Sequence, residues 1–268
     1  MKPIKHEDLG SGLSGRVIGA AMQVHREFGP GLEEADYEQA LHLELLALGI
    51  EHACQVPLPL IYKGAQLDCG YRMDLIVMST LLLELKAVDK LHPLHEAQLL
   101  TYLRLAKLKL GLLMNFNVLL LKDSILRRAN SLNLGRVKAA TPVSGHFDEL
   151  SREVLDAAVE VQSILGTGLL RSAYEICLAH ELKLRGIQAE RSRPVNLIYR
   201  DQVIPSSKQL PLIVGGELLV SCLCVEEVSA LQIARSKSLL KPAGLKNCLC
   251  INFHATQLTG EIKRFRHA

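Results

Sequence analysis

The chain has 268 residues, 49% of them apolar and 22% charged, with a formal net charge of +3, which is the composition of a soluble globular protein. No apolar run reaches the roughly 20 residues of a membrane span, and "MKPIKHEDLGSG" lacks the apolar stretch of a signal peptide. Seven cysteines without framework spacing fit reduced thiols, so a cytoplasmic protein is expected. The absence of Trp, with aromatics at 4%, argues against a stacking platform for single strands.

In chain order, the spacing of Val17, Ala21, Val24 and Phe28 predicts a helix over 14–28, ended by Gly29-Pro30-Gly31. A second helix is expected over 33–48, stopped by Gly49. Strands are expected near 53–62, 66–78 and 81–88, the first two joined by a turn at Lys63-Gly64. A helix near 93–107, a strand near 109–116 and a short helix after Lys122 complete an α/β (α+β) unit, a mixed sheet with helices on both sides.

The chain then repeats. Adding 137 to a residue number returns much of the same sequence without a gap: "GPGLEEADYEQALHLELLALGI" (29–50) lies over "GTGLLRSAYEICLAHELKLRGI" (166–187), "PLPLIY" over "PVNLIY", and "MNFN" (114–117) over "INFH" (251–254). Two tandem domains follow, 1–133 and 134–268, joined within the Gly-, Ser-, Thr- and Pro-containing stretch 130–150.

In the first copy, "LLLELKAVDK" (81–90) sets Glu84 and Lys86 on one face of a strand otherwise rich in leucine. A charged pair pointing into a core needs something there to satisfy it. Antiparallel pairing around Met78–Thr80 brings Asp74 toward Glu84, and Gln98 and Tyr102 share a helical face. Carboxylates converging beside a lysine suit a hard divalent ion and a phosphodiester substrate. Glu34, three residues before Tyr37, is a further candidate; the first turn of a helix also favours Glu for its dipole, and both roles stand.

"D…ELK" followed by "QxxxY" resembles the PD-(D/E)xK nuclease superfamily. "GLEEADYEQAL", "LDCGYRMDLIV" and "LLELKAVDKLHPLHEAQLLTYL" resemble the GxxExxY protein family over nearly all of 14–128. The resemblance implies Mg²⁺ or Mn²⁺ held by Asp74, Glu84 and Glu34, with Lys86 as the catalytic lysine, and Gln98 and Tyr102 supporting the site. It implies nucleic acid, DNA first, as partner.

The second copy replaces Glu34, Asp74, Glu84, Lys86, Gln98 and Tyr102 by Arg171, Pro211, Ser221, Leu223, Arg235 and Leu239. It is expected to be a degenerate pseudo-nuclease, packing against the first as an internal pseudo-dimer or homo-oligomer interface, or gripping a polyanion through Arg171, Arg191, Arg193, Arg235, Lys237, Lys241, Lys246, Lys263, Arg264 and Arg266. Scattered solvated charge is the competing reading of that set. His25, His92 and His95 are read as structural or as supporting contacts, and Cys222, Cys224, Cys248 and Cys250 as packed thiols. The rival function is a non-catalytic nucleic-acid- or protein-binding module with a vestigial site.

Overall fold

The computed structural model describes residues 12–130 and 148–254, with 258 and 262–266; the N-terminal stretch and most of the expected joint lie outside the described residues. The chain divides into two compact units, Met1–Leu132 and Asn133–Ala268.

The first unit opens with α1 (Leu13–Phe28) and α2 (Glu34–Ala47). Val17, Ala21 and Val24 of α1 are buried as the spacing predicts, but Phe28, in the last turn, is exposed. α2 ends where Gly49 takes φ 61°. There the Gly49 and Ile50 amides bond back to the Leu46 and Leu45 carbonyls at 3.0 and 2.9 Å, closing the helix with a left-handed glycine.

The strands are β1 (His52–Pro57), β2 (Leu60–Tyr62), β3 (Ala65–Leu67), β4 (Arg72–Val77) and β5 (Leu81–Lys86). The expected long strands 53–62 and 66–78 are each cut in two. Pro57 and Pro59 remove amide donors on one side. On the other, the Asp68 carboxylate caps the Gly70 amide at 2.8 Å in a turn. β2 and β3 therefore form a separate hairpin around Lys63-Gly64, while β1 pairs with β4 in the main sheet.

α3 (Pro93–Leu105), β6 (Leu110–Asn115), a 3₁₀ turn (Leu121–Ser124) and β7 (Ile125–Ala129) complete the unit. The sheet order is β1-β4-β5-β6-β7, with β5 and β6 parallel and the other neighbours antiparallel. β7 is a correction to the sequence reading, which ended in a short helix. "ILRRA" alternates inward and outward as an edge strand does, but its adjacent arginines mask the apolar period.

α1 and α2 cover one face of the sheet through Leu75, Val77, Leu83, Leu85, Leu112 and Met114. α3 covers the other so closely that a Cβ on Gly111 of β6 would lie 2.8 Å from Leu99 Cδ1. β5, central and covered on both faces, is buried at all six positions.

The second unit repeats this plan with α4 (Glu149–Leu165), α5 (Arg171–Leu184), β8 (Ala189–Pro194), the hairpin β9 (Leu197–Tyr199) and β10 (Gln202–Ile204), β11 (Gln209–Val214), β12 (Leu218–Leu223), α6 (Ala230–Ser238), α7 (Leu240–Ala243), β13 (Asn247–Asn252) and β14 (Ile262–Arg266). Its sheet order, β8-β11-β12-β13-β14, matches the first. Where α3 is continuous, its counterpart breaks between α6 and α7. Pro242 there has no amide to give the Ser238 carbonyl, and its ring crowds that turn.

Candidate active site

Register assembles the site. β4 and β5 pair Leu75 with Leu83 and Ile76 with Leu82, and one further step sets Asp74 opposite Glu84 at the open end of the sheet. Asp74 Oδ2 accepts a hydrogen bond from the Leu85 amide at 2.8 Å. Lys86 Nζ lies 3.1 Å from Glu84 Oε1, 3.1 Å from Glu34 Oε1 and 3.9 Å from Asp74 Oδ2. Glu34 reaches it from the first turn of α2, the position its sequence offset from Tyr37 suggested.

From α3, Gln98 Nε2 donates to Glu84 Oε1 and lies 3.3 Å from Tyr102 Oη. Tyr102 thus meets Gln98 within this cluster, and its ring lies 5.4 Å from that of Tyr71. All six residues singled out in the sequence therefore converge.

Glu84 is fully buried, and among the described residues its Oε2 has no hydrogen-bond partner. An anionic oxygen left bare in a core is strongly unfavourable unless a cation or a proton joins it. Burial, with Asp74 beside it, pushes Glu84 up to about 8, and burial pushes Asp74 up to about 6 against the opposing Leu85 amide. Burial acts to lower Lys86, but Glu84, Asp74 and Glu34 together hold it above its ordinary value. Lys86 is thus held as an ammonium, and Glu84 and Asp74 are the groups pushed toward neutrality.

The sequence profile of the PD-(D/E)XK nuclease superfamily matches residues 11–128 and again 148–265. The chain belongs to that superfamily. No curated protein and no solved structure matches it significantly. Superfamily members generally take divalent metals, and the first unit offers a fitting donor set: hard carboxylate oxygens, one of them unpartnered, at a solvent-reaching edge where Glu34 is partly exposed.

Other residues of the superfamily fold hold the frame. The Tyr37 hydroxyl donates to the Gly29 carbonyl at 2.6 Å and accepts from the Leu32 amide at 3.2 Å, and so shapes the turn that presents Glu34. Asn115 bonds both the amide and the carbonyl of Val88, at 3.0 and 2.7 Å, pinning the chain as it leaves β5. Its role is missed by a search for charged groups, although its recurrence as Asn252 within "MNFN" and "INFH" signals it.

Glu38 and Gln55 are also missed. Gln55 sits at φ 51° on β1, across from Asp74 in the register, and donates to Glu38 Oε2 at 2.6 Å. Glu38 raises Asp74 further through its charge.

The histidines have local partners. His25 Nε2 donates to the Val118 carbonyl at 2.8 Å. His92 Nδ1 and His95 Nδ1 accept from the Leu94 and His92 amides, both at 3.2 Å, and cap α3.

The second unit keeps the frame and lacks the counterparts of Glu34, Asp74, Glu84 and Lys86. Tyr174 bonds the Gly166 carbonyl and the Leu169 amide at 2.8 and 3.3 Å, and Asn252 bonds Val225 as Asn115 bonds Val88. At the site, Ser221 instead meets Ser236 at 3.1 Å, and Arg171 pairs with Glu175 at 3.3 Å.

Several basic side chains of the expected polyanion grip are taken up locally. Arg193 reaches the Ala243 carbonyl, Lys237 lies over the Phe265 ring and Arg264 pairs with Asp148. The Arg266 side chain lies outside the described residues. Cys222, Cys248 and Cys250 are buried, the last two with sulfurs 3.9 Å apart.

Proposed function

We propose that the first unit is a Mg²⁺-dependent nuclease, Mn²⁺ serving as an alternative ion, that hydrolyses phosphodiester bonds of nucleic acid, with DNA the expected substrate. The observation that carries this reading is Glu84: fully buried, hydrogen-bonded at one oxygen and bare at the other, with Asp74, Glu34 and an ammonium around it. Asp74, Glu84 and Glu34 are the residues that would hold the ion. When bound, the ion supplies polarisation of the phosphate and a more acidic coordinated water.

The chain's own groups do the rest. The Leu85 amide fixes Asp74, and Gln98, set by Tyr102, fixes Glu84. Lys86, beside these carboxylates, is placed to offset negative charge growing on the phosphate.

The second domain, 134–268 against 1–133, serves in this reading as an inactive copy for packing or substrate grip. With one site per chain, a single molecule nicks or trims rather than cutting both strands together. Among the described residues no helix is long and apolar enough to cross a membrane, in keeping with a role on nucleic acid in the cytoplasm.

The test is cleavage of single- and double-stranded DNA and RNA by the full chain with Mg²⁺, beside Glu84→Ala and Lys86→Ala. Cleavage by the wild type that both variants lose is expected. Salt-sensitive binding with no turnover under any divalent ion would instead mark a binding module with a vestigial site.

A further inference from the structure

Glu34, Glu38 and His42 recur every four residues and share one stripe of α2. The first belongs to the carboxylate site and the last meets a different set of donors. His42 Nδ1 lies 2.8 Å from His52 Nε2 and 3.5 Å from Cys54 Sγ. His52 and Cys54, two apart on β1, present the same strand face. The three donor atoms lie within 4.8 Å of one another, and all three residues are half-buried.

We propose that His42, His52 and Cys54 form a zinc site, separate from the carboxylates. Two imidazoles and a thiolate suit a borderline-soft ion and disfavour Mg²⁺, so Mg²⁺ at the carboxylates does not occupy this site. Bonds of about 2.0–2.1 Å to nitrogen and about 2.3 Å to sulfur in a tetrahedron put N and S about 3.5 Å apart, and two nitrogens about 3.3 Å apart. The His42–Cys54 spacing already meets this, and the two rings must part by about half an ångström.

One tautomer is set in advance. His52 Nδ1 lies 2.7 Å from the Ile50 carbonyl, which only accepts, so Nδ1 carries the proton and Nε2 turns its lone pair toward His42 and Cys54. In the metal-free chain His42 Nδ1–H fills that space. On binding, the His42 proton is carried at Nε2, the thiol proton passes to solvent, and bonds form to two nitrogens and one sulfur. Half-burial leaves the fourth position to water.

The consequence is mechanical: the ion ties edge strand β1 to the helix whose first turn carries Glu34. The second copy has Ala179, Ala189 and Arg191 at these positions, so the site belongs to the first unit alone.

Cobalt(II) titrated into the metal-free full chain tests this without recourse to activity. One equivalent is expected to bring up the thiolate-to-cobalt charge-transfer absorption and intense visible bands of a tetrahedral site, both removed by Zn²⁺. Cys54→Ser should abolish the charge transfer, and His42→Ala should weaken binding by at least about 10–100-fold. Glu84→Gln should leave both unchanged. No charge-transfer band in the wild type overturns the proposal, as does a band that persists in Cys54→Ser, which would place the metal on other cysteines. The first outcome is read on the native chain and does not depend on any variant folding.

Discussion

The two sheets run in the same strand order and carry the same left-handed residue on their first edge strands, Gln55 and Ser192, yet only one gathers carboxylates at its open end. In the first unit three carboxylates, Glu34, Asp74 and Glu84, surround Lys86, with Glu38 one turn along α2 from Glu34. At the same positions the second has Arg171, Glu175, Pro211, Ser221 and Leu223. The tyrosine turn, the Asn clamp and the stacked pairs Tyr37–Phe116 and Tyr174–Phe253, with centroids 4.6 and 4.4 Å apart, are common to both. Packing and turn geometry are common to both copies; of the four carboxylates only the Glu38 position keeps its charge, as Glu175, and there Arg171 pairs with it. The second unit is an internal control for which residues are scaffold.

The sharpest break of that comparison is in activity. Glu84→Ala or Asp74→Ala is expected to lower Mg²⁺-dependent cleavage by on the order of 10³-fold, as does chelation of the ion, while Ser221→Ala leaves the rate unchanged. Initial rates on a labelled DNA substrate decide it, and equal losses at positions 84 and 221 would erase the distinction between the units.

A packing exchange comes next. Gly111 faces Leu99 in the first unit, and the same pair in the second is Cys248 and Ser236, larger on the strand and smaller on the helix. Gly111→Ala is expected to destabilise the first unit by about 1–2 kcal/mol, and Leu99→Ser in the same chain to relieve the clash part of that loss. Thermal or urea denaturation of the two single variants and the double variant reads the coupling, and simple additivity would contradict it.

The carboxylates also predict a pH signature in the unit that has them. Glu84 and Asp74 sit above their ordinary values of 4.5 and 3.8, at about 8 and about 6. The folded metal-free chain therefore holds protons that the unfolded chain has released. The stability these groups contribute is full below their ordinary values and is lost as pH rises through about 6 and then about 8. Melting in chelator should shift down from about pH 5 to about pH 9, Glu84→Gln should flatten the trend, and Mg²⁺ should stabilise most at the alkaline end. A trend that Glu84→Gln leaves intact would locate it elsewhere.

The smallest effect is a matched one. Tyr37→Phe and Tyr174→Phe each remove a hydroxyl that bonds one carbonyl and one amide, so each should destabilise its own unit by a similar ~1 kcal/mol or slightly more. Only Tyr37→Phe should also slow cleavage, because only its turn carries a carboxylate.

Much of this was legible beforehand because it lives in short-range order. The repeat offset, the helices α1 and α2, the Gly49 stop and the approach of Asp74 to Glu84 and Lys86 follow from periodicity, turn residues and strand register, while the place of Gln98 and Tyr102 beside them is implied by the family resemblance. Part of what escaped depends on partners far along the chain. β7 and β14 are edge strands with arginines in place of a clean apolar alternation, and only pairing with β6 and β13 defines them. The splits of the long strands, at Pro57 and Pro59 and at the Asp68–Gly70 turn, are local features the strand pattern overruns, and Glu38 and Gln55 carry no motif.

The sequence by itself determined the duplication, the secondary-structure plan and which copy retains a charged constellation, because these rest on local propensity and on residue identity at a fixed offset. Only the tertiary structure decided that Glu84 keeps one bare oxygen in the core, that Lys86 answers to three carboxylates from two strands and a helix, and that His42 meets His52 and Cys54. Burial and the distances between remote side chains set those properties, and neither quantity exists until the sheet and its covering helices have closed together.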